Sequence, residues 1–220
     1  MPDSPATPPD PTLPLHNVPE SALALQAVSL ALSAAVPVLA VAGNEQQAYR
    51  LEAALRFFAS GELPVLHLPG TETLAYDPFS PHQELLSDRM AALNALPGLR
   101  RGIVLVTADA LIQRLPPRSF LDARSLVLET GQTLDPINFR ERLAGAGYAA
   151  VGEVQTQGEF AVRGSIVDLF PMGSDTAYRV DLFDDEIESI RSFDPETQRS
   201  VDKVESVRLL PAREFPTDKV

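Results

Sequence analysis

The chain has 220 residues, 45 % of them hydrophobic and none of them cysteine, and its formal net charge is -12. That length can bury the core of one large domain or two small ones. The lack of thiols excludes disulfides, thiolate metal sites and a cysteine nucleophile, and with this acidity and no clustered Lys/Arg run a broad grip on nucleic-acid phosphates is not expected.

In chain order, the opening "MPDSPATPPDPTLPLHNVPE" lacks the basic and apolar regions of a secretory signal, and its prolines predict an extended, flexible tail over residues 1–20. Residues 22–43 are the most apolar stretch, but Gln26, the serines and Pro37 divide it into a helix and a buried strand rather than a membrane span. Ser21 is the expected cap of that helix, which runs to about Ala35, and "VLAVA" is the strand. Gly43 and Asn44 make a turn into a helix, "EQQAYRLEAALRFFAS", with Leu51, Ala54, Leu55 and Phe58 at helical spacing; Gly61 ends it before the strand "PVLHL".

A loop, "TETLAYDPFS", then leads to a helix starting at Pro81, followed by the strand "GIVLVTA" and a short helix capped by Asp109 and stopped at Pro116 to Arg118. Strands alternating with helices predict an α/β fold with a largely parallel sheet over residues 21–119. After that the texture changes. "DPINFRERLAGAGY" reads as a helix capped by Asp135, with Pro136 at its start and Gly147 at its end, and from Glu153 apolar and polar residues alternate as in an antiparallel meander. A smaller α+β domain is therefore predicted over residues 120–212, with residues 213–220 beginning a link. The charge is -5 through Asp122 and -7 beyond it, so neither half reads as a DNA clamp. The segment 118–215 is expected to fold alone.

No phosphate-cradling G-x-x-x-x-G-K-[ST] occurs; after the first strand the chain reads "GNEQQAYR", with a glutamate where an anion would lie. "VDLFDDE" resembles a Walker-B strand end, but Asp184 and Asp185 fit a tight turn between antiparallel strands. The carboxylate pairs Asp181 with Asp184 and Glu186 with Glu188 have nothing to bury them or to split their pKa values. Ser80 and His82 are explained by a helix start, and His16, His67 and His82 lack metal-ligand spacing. An enzyme built on the "TETLAYDPFSPHQ" loop would lack both a nucleophile and a metal.

The strand "YRVDLF" places Tyr178, Val180 and Leu182 on one face and Arg179, Asp181 and Phe183 on the other. Arg163 is expected on the preceding strand, returned by "PMGSDTA" against the strand of Arg179, with Gly164 marking a bulge or close backbone approach. Two arginines and an exposed phenylalanine are the residue types of an interface anchor, with Asp181 available to pair with either arginine. As exposed anchors, Arg179 and Phe183 are expected to affect docking when truncated and stability hardly at all.

Three stretches, "YDPFSPHQELLSDRMAALNAL", "GEFAVRGSIVDLFPMGSDTAYRVDLFDDEIESIRSFDPETQRS" and "LLPAREFPTD", closely resemble the N-terminal part of the bacterial transcription-repair coupling factor (Mfd) family and, more loosely, the repair protein UvrB. The resemblance spans roughly residue 13 to the C-terminus. It implies a partial helicase-type (RecA-like) parallel-sheet domain, UvrB-like domain 1A, carrying an inserted UvrA-binding domain, UvrB-like domain 2, with the remainder of the first domain following later. It further implies a cytoplasmic module without catalysis or cofactor of its own that recruits UvrA through Arg163, Arg179 and Phe183. RNA polymerase, DNA, ATP and Mg would be bound by parts of a longer protein, an ATP-dependent DNA translocase. The chain departs from UvrB in lacking a P-loop and a tyrosine-rich hairpin. The alternative reading is a nucleic-acid-binding domain of a helicase-like repair enzyme.

Overall fold

The computed structural model describes residues 18–71 and 82–215. The proline-rich segment up to Asn17 with His16, the loop that contains Ser80 and Pro81, and the last five residues lie outside the described residues. The mixed α/β class is as predicted, with a parallel sheet first and an antiparallel sheet after it.

In the first unit, three parallel strands stand in the order β1 (Val38–Ala42), β3 (Ile103–Thr107), β2 (Val65–Leu68). One face is covered by α1 (Glu20–Ser33) and α2 (Glu45–Ala59), whose Ala24, Val28, Leu51 and Leu55 bury against Ala42, Val65, Ile103 and Leu105. Two small residues of α1, Ala24 and Ala31, are fully buried in this cluster. Ser21 does not cap α1: the first turn closes on the Pro19 carbonyl, which accepts from Ala22 N and Leu23 N, and Ser21 sits inside the helix. Asn44 caps α2, its Oδ1 accepting from Gln47 N at 2.9 Å. The helix ends on Ser60, which adopts the left-handed conformation beside Gly61.

Two further local readings are corrected. Thr107, not Asp109, caps α4 (Ala108–Leu111), because its hydroxyl precedes the first helical residue and accepts from Ala110 N. Pro116 and Pro117 do not only stop a helix: Pro117 also starts α5 (Arg118–Arg124), which turns Phe120 and Leu121 into the core.

In the second unit, β4 (Leu126–Glu129) pairs antiparallel with β11 (Ser206–Leu209), and α6 (Pro136–Gly145) begins at its predicted cap, Asp135 Oδ1 accepting from Ile137 N at 3.1 Å. The larger sheet runs β10 (Ser200–Val204), β9 (Glu186–Phe193), β8 (Ala177–Phe183), β7 (Ile166–Leu169), β6 (Glu159–Arg163), β5 (Ala149–Ala150), antiparallel except at its β5–β6 edge. Its inner face sets Phe160, Val167, Leu169, Val180 and Ile190 against Phe139 and Leu143 of α6 and Leu128 and Leu209 of the small sheet. The buried Tyr148 hydroxyl donates to Leu210 O at 2.8 Å and accepts from Met172 N at 3.1 Å, so three separate chain segments meet on one oxygen. Burial pushes its pKa well above the ordinary tyrosine range, which keeps the donor proton in place.

The core of the second unit does not begin at residue 120. Met90, Ala92 and Leu93 of α3 (Gln83–Ala95), together with Leu68, belong to it. On the same helix Arg89, with 1 % of its side chain exposed, donates from Nε and Nη2 to both oxygens of Glu214, at 3.1 and 2.7 Å, and from Nη1 to the Pro69 carbonyl. Ser87 Oγ accepts from Gly173 N at 2.8 Å. A helix that lies in the first half of the chain thus forms a floor for the second.

Removing one member of a buried, hydrogen-bonded ion pair strands the other, at a cost of about 3–5 kcal/mol. Glu214→Ala is therefore expected to lower the unfolding free energy of the whole chain by that amount, and its denaturant midpoint with it. For the same reason the segment 118–215, which leaves Arg89, Met90 and Leu93 behind, is expected to unfold at a lower midpoint than the full chain. Equal midpoints in denaturant titrations would contradict both expectations.

Candidate partner-docking face

The outer face of the larger sheet is built by strict alternation. On β8, Tyr178, Val180 and Leu182 point into the core while Ala177, Arg179, Asp181 and Phe183 point out, as the sequence predicts. Opposite β8, the register slips between Asp181 and Leu182, and this bulge on β9 allows Ile187 and Ile190 both to face inward. Asp184, with a positive φ of 51°, makes the two-residue turn between Phe183 and Glu186. The Walker-B likeness is therefore a hairpin turn.

Arg163 reaches this face by a route that the sequence reading missed. It ends β6, and β7 intervenes between it and β8, because Gly164, at φ +62°, makes a hairpin turn rather than a bulge. Cross-strand pairing aligns Ala161, Asp168, Arg179 and Arg191 in one outward row and Arg163, Ile166, Asp181 and Ser189 in the next. Phe183 stands at the rim, 70 % exposed.

The acid that the arginines share is Asp168, not Asp181. Asp168 is fully buried; its Oδ1 accepts from Arg179 Nε at 2.7 Å, and its Oδ2 accepts from Arg179 Nη2 at 2.9 Å and from Arg163 Nη2. Arg179 also donates to the Gln198 carbonyl at 3.3 Å and lies 5.0 Å over the Phe193 ring. The hydrogen bond to Asp168 is the main reason that its guanidinium is held above the usual arginine pKa. Asp181 instead accepts from Ser189 Oγ at 2.9 Å and from Arg191. An apolar cluster of Val154, Ala161, Phe170, Ala177 and Phe193 adjoins the face, with Ala161 paired directly opposite Asp168. Glu186 and Glu188 are exposed and lie outside this network.

These contacts separate the two arginines. Arg163 has about half of its side chain exposed, whereas Arg179 has 17 %. The expectation that truncating Arg179 leaves stability unchanged is accordingly corrected, because Asp168 would lose two of its three charged donor bonds inside a dry site.

The other place where the sequence invites a ligand is the corner between β1 and α2. There Glu45, in the first turn of α2, accepts at Oε1 from Gly70 N at 2.7 Å, and a Cβ at Gly70 would fall 2.8 Å from that oxygen. The helix N-terminus that would favour an anion faces a carboxylate of its own chain. The largely covered side chain of His67 lies beside it, with Nδ1 2.8 Å from Glu52 Oε2. That hydrogen bond, aided by Arg56, holds the Glu52 carboxyl below its ordinary pKa. Among the described residues no group of three or more His, Cys, Asp or Glu is placed to hold a metal ion, and no helix is long and apolar enough to cross a membrane.

Arg179→Ala is expected to cost about 3 kcal/mol of stability. Phe183→Ala, at an exposed rim, should stay within about 0.5 kcal/mol. Thermal melts of the two variants beside the parent check this, and an Arg179→Ala melt that matches Phe183→Ala would contradict it.

Residues 126–215, which hold this face, match the family model of the UvrB interaction domain. Over 183 residues, 83 % of the chain, the sequence is 46 % identical to the transcription-repair-coupling factor of Escherichia coli, and it is 43 % identical over 218 residues, 99 % of the chain, to that of Haemophilus influenzae. The Myxococcus xanthus factor is 38 % identical over 81 % of the chain. The matched regions are 16 %, 19 % and 15 % of those three relatives. Over most of its length the chain is therefore a homologue of the transcription-repair-coupling factors, and its residues 126–215 match the UvrB interaction domain.

Proposed function

We propose that this chain is the UvrA-recruiting module of a transcription-repair-coupling factor, a part without catalysis of its own that brings nucleotide excision repair to RNA polymerase stalled at DNA damage. The observation that carries the reading is the outer face of the larger sheet, where an exposed Phe183 and a half-exposed Arg163 stand with Arg179 inside the region matched as a UvrB interaction domain. The fitting partner surface offers a carboxylate to the guanidinium groups and an apolar pocket to the ring.

In this reading residues 21–119 are part of a helicase-type, RecA-like domain that later chain completes, and residues 120–212 are the docking domain inserted into it. The other side of the first sheet, which the described residues leave partly open, supports that arrangement. Leu39, Val41, Leu111 and Leu115 are exposed there around an apolar groove of about 250 Å³, whereas parallel sheets are ordinarily covered on both faces. The longer protein would be a cytoplasmic, ATP-dependent DNA translocase that releases stalled polymerase, with ATP, Mg, DNA and RNA polymerase held by its other domains. Glu45 at the β1–α2 corner supports a chain that binds no nucleotide itself.

Calorimetric titration of purified UvrA into the chain tests the proposal. Arg163→Ala and Phe183→Ala are each expected to weaken binding by about thirtyfold, the ratio that corresponds to a loss of roughly 2 kcal/mol. Val180→Ala, on the core face, should lower the melting temperature and affect binding only indirectly. Parent-like binding by both face variants while they remain folded places the docking surface elsewhere. Labelled ATP with magnesium should show no saturable binding to the same preparation, and micromolar saturation would overturn the non-catalytic reading.

A further inference from the structure

We propose that Asp168 is the positioning residue of the docking face: it touches no partner, and it holds the Arg163 and Arg179 guanidinium groups in the arrangement that docks. This rests on the reading that the face binds UvrA. Asp168 has no exposed surface, so a partner cannot reach it, yet its two oxygens take three charged donor bonds from the two arginines. A carboxylate in such a site must remain compensated: Arg179 cannot swing away without removing two of its three charged donors, nor Arg163 without removing the third. The fork of Arg179 is further fixed by the Gln198 carbonyl and the Phe193 ring.

The donors divide the work. A guanidinium has five N–H donors. Arg179 directs three of them into the protein, two to Asp168 and one to Gln198 O, whereas Arg163 directs one to Asp168 and is half exposed. Arg179 therefore fixes Asp168, Asp168 tethers one corner of the Arg163 fork, and about half of the Arg163 side chain is left open to a partner. A long side chain ordered before docking has less freedom to lose on docking, and that preorganisation is how a buried acid would strengthen binding to an acidic surface. Asp181 offers no parallel, since it takes its charged bond from Arg191 alone and is not fully buried.

Positioning by Asp168 and simple charge counting predict effects of opposite sign. Asp168→Asn removes one negative charge from beneath the arginines. If the arginines acted as independent point charges, an acidic partner would bind this variant more tightly. Under positioning it binds less tightly, by tenfold or more, in calorimetric titration with purified UvrA. The loss is also expected to vanish when Asp168→Asn is placed in an Arg163→Ala background, whereas general damage to the domain would weaken both backgrounds equally. Nitrogen-15 relaxation of the Arg163 side chain in the unmodified chain supplies a readout that needs no buried substitution; a restrained guanidinium is expected, and a freely rotating one would overturn the inference. If Arg163→Ala and Phe183→Ala bind UvrA as the parent does, the docking reading falls and this inference with it. If they bind weakly while Asp168→Asn binds as tightly as the parent or more tightly, the docking reading stands and the positioning role of Asp168 is overturned.

Discussion

A guanidinium out of reach of water requires a compensating carboxylate, and Arg89 finds it in Glu214, 125 positions later in the chain. This pair sits where α3, the end of β2 at Pro69 and the segment after β11 converge. Because both ions are buried, the second unit cannot drift from the first without exposing a bare charge to a low-dielectric interior. Met90, Ala92 and Leu93 place an apolar layer along the same helix. The orientation of the larger sheet, and with it the direction in which Phe183 and Arg163 point, depends on this join.

What was legible in the sequence was local. The α6 helix could be read because its cap, Asp135, its proline at the first position and the glycine just beyond its end lie within a dozen residues. The two faces of β8 could be read because alternation is a property of one strand, and the Asp184 turn because its chemistry belongs to two adjacent residues. What was missed needed partners distant in the chain or too short a pattern. The β6 and β7 strands, joined by only Gly164 and Ser165, merge on the page into one extended run. Asp168 sits in that run as one acid among thirty, and only the cross-strand register puts it opposite Arg179. Arg89 carries no local mark of its burial.

The outer face of the larger sheet also qualifies what net charge conveys. A chain of charge -12 holds, on the outward rows of one sheet, three arginines with two aspartates. The two aspartates offset two of the three positive charges at close range beside an apolar cluster, so the set is less screened than charges scattered over the surface. Whole-chain charge governs long-range attraction, whereas recognition over a few ångströms depends on which donors remain unused.

Glu45 has a consequence of a different kind. A carboxylate carried by the helix whose end it faces cannot be diluted away, since the fold holds it at an effective concentration of roughly millimolar or above. A free phosphate arriving at the β1–α2 corner meets a tethered competitor as well as a missing cation. Substituting a lysine nearby while Glu45 remains would pair the two residues with each other, and removing Glu45 alone would leave the Gly70 amide without its acceptor. Each step is unrewarded without the other, so the two changes that would open this corner to an anion would have to arrive together.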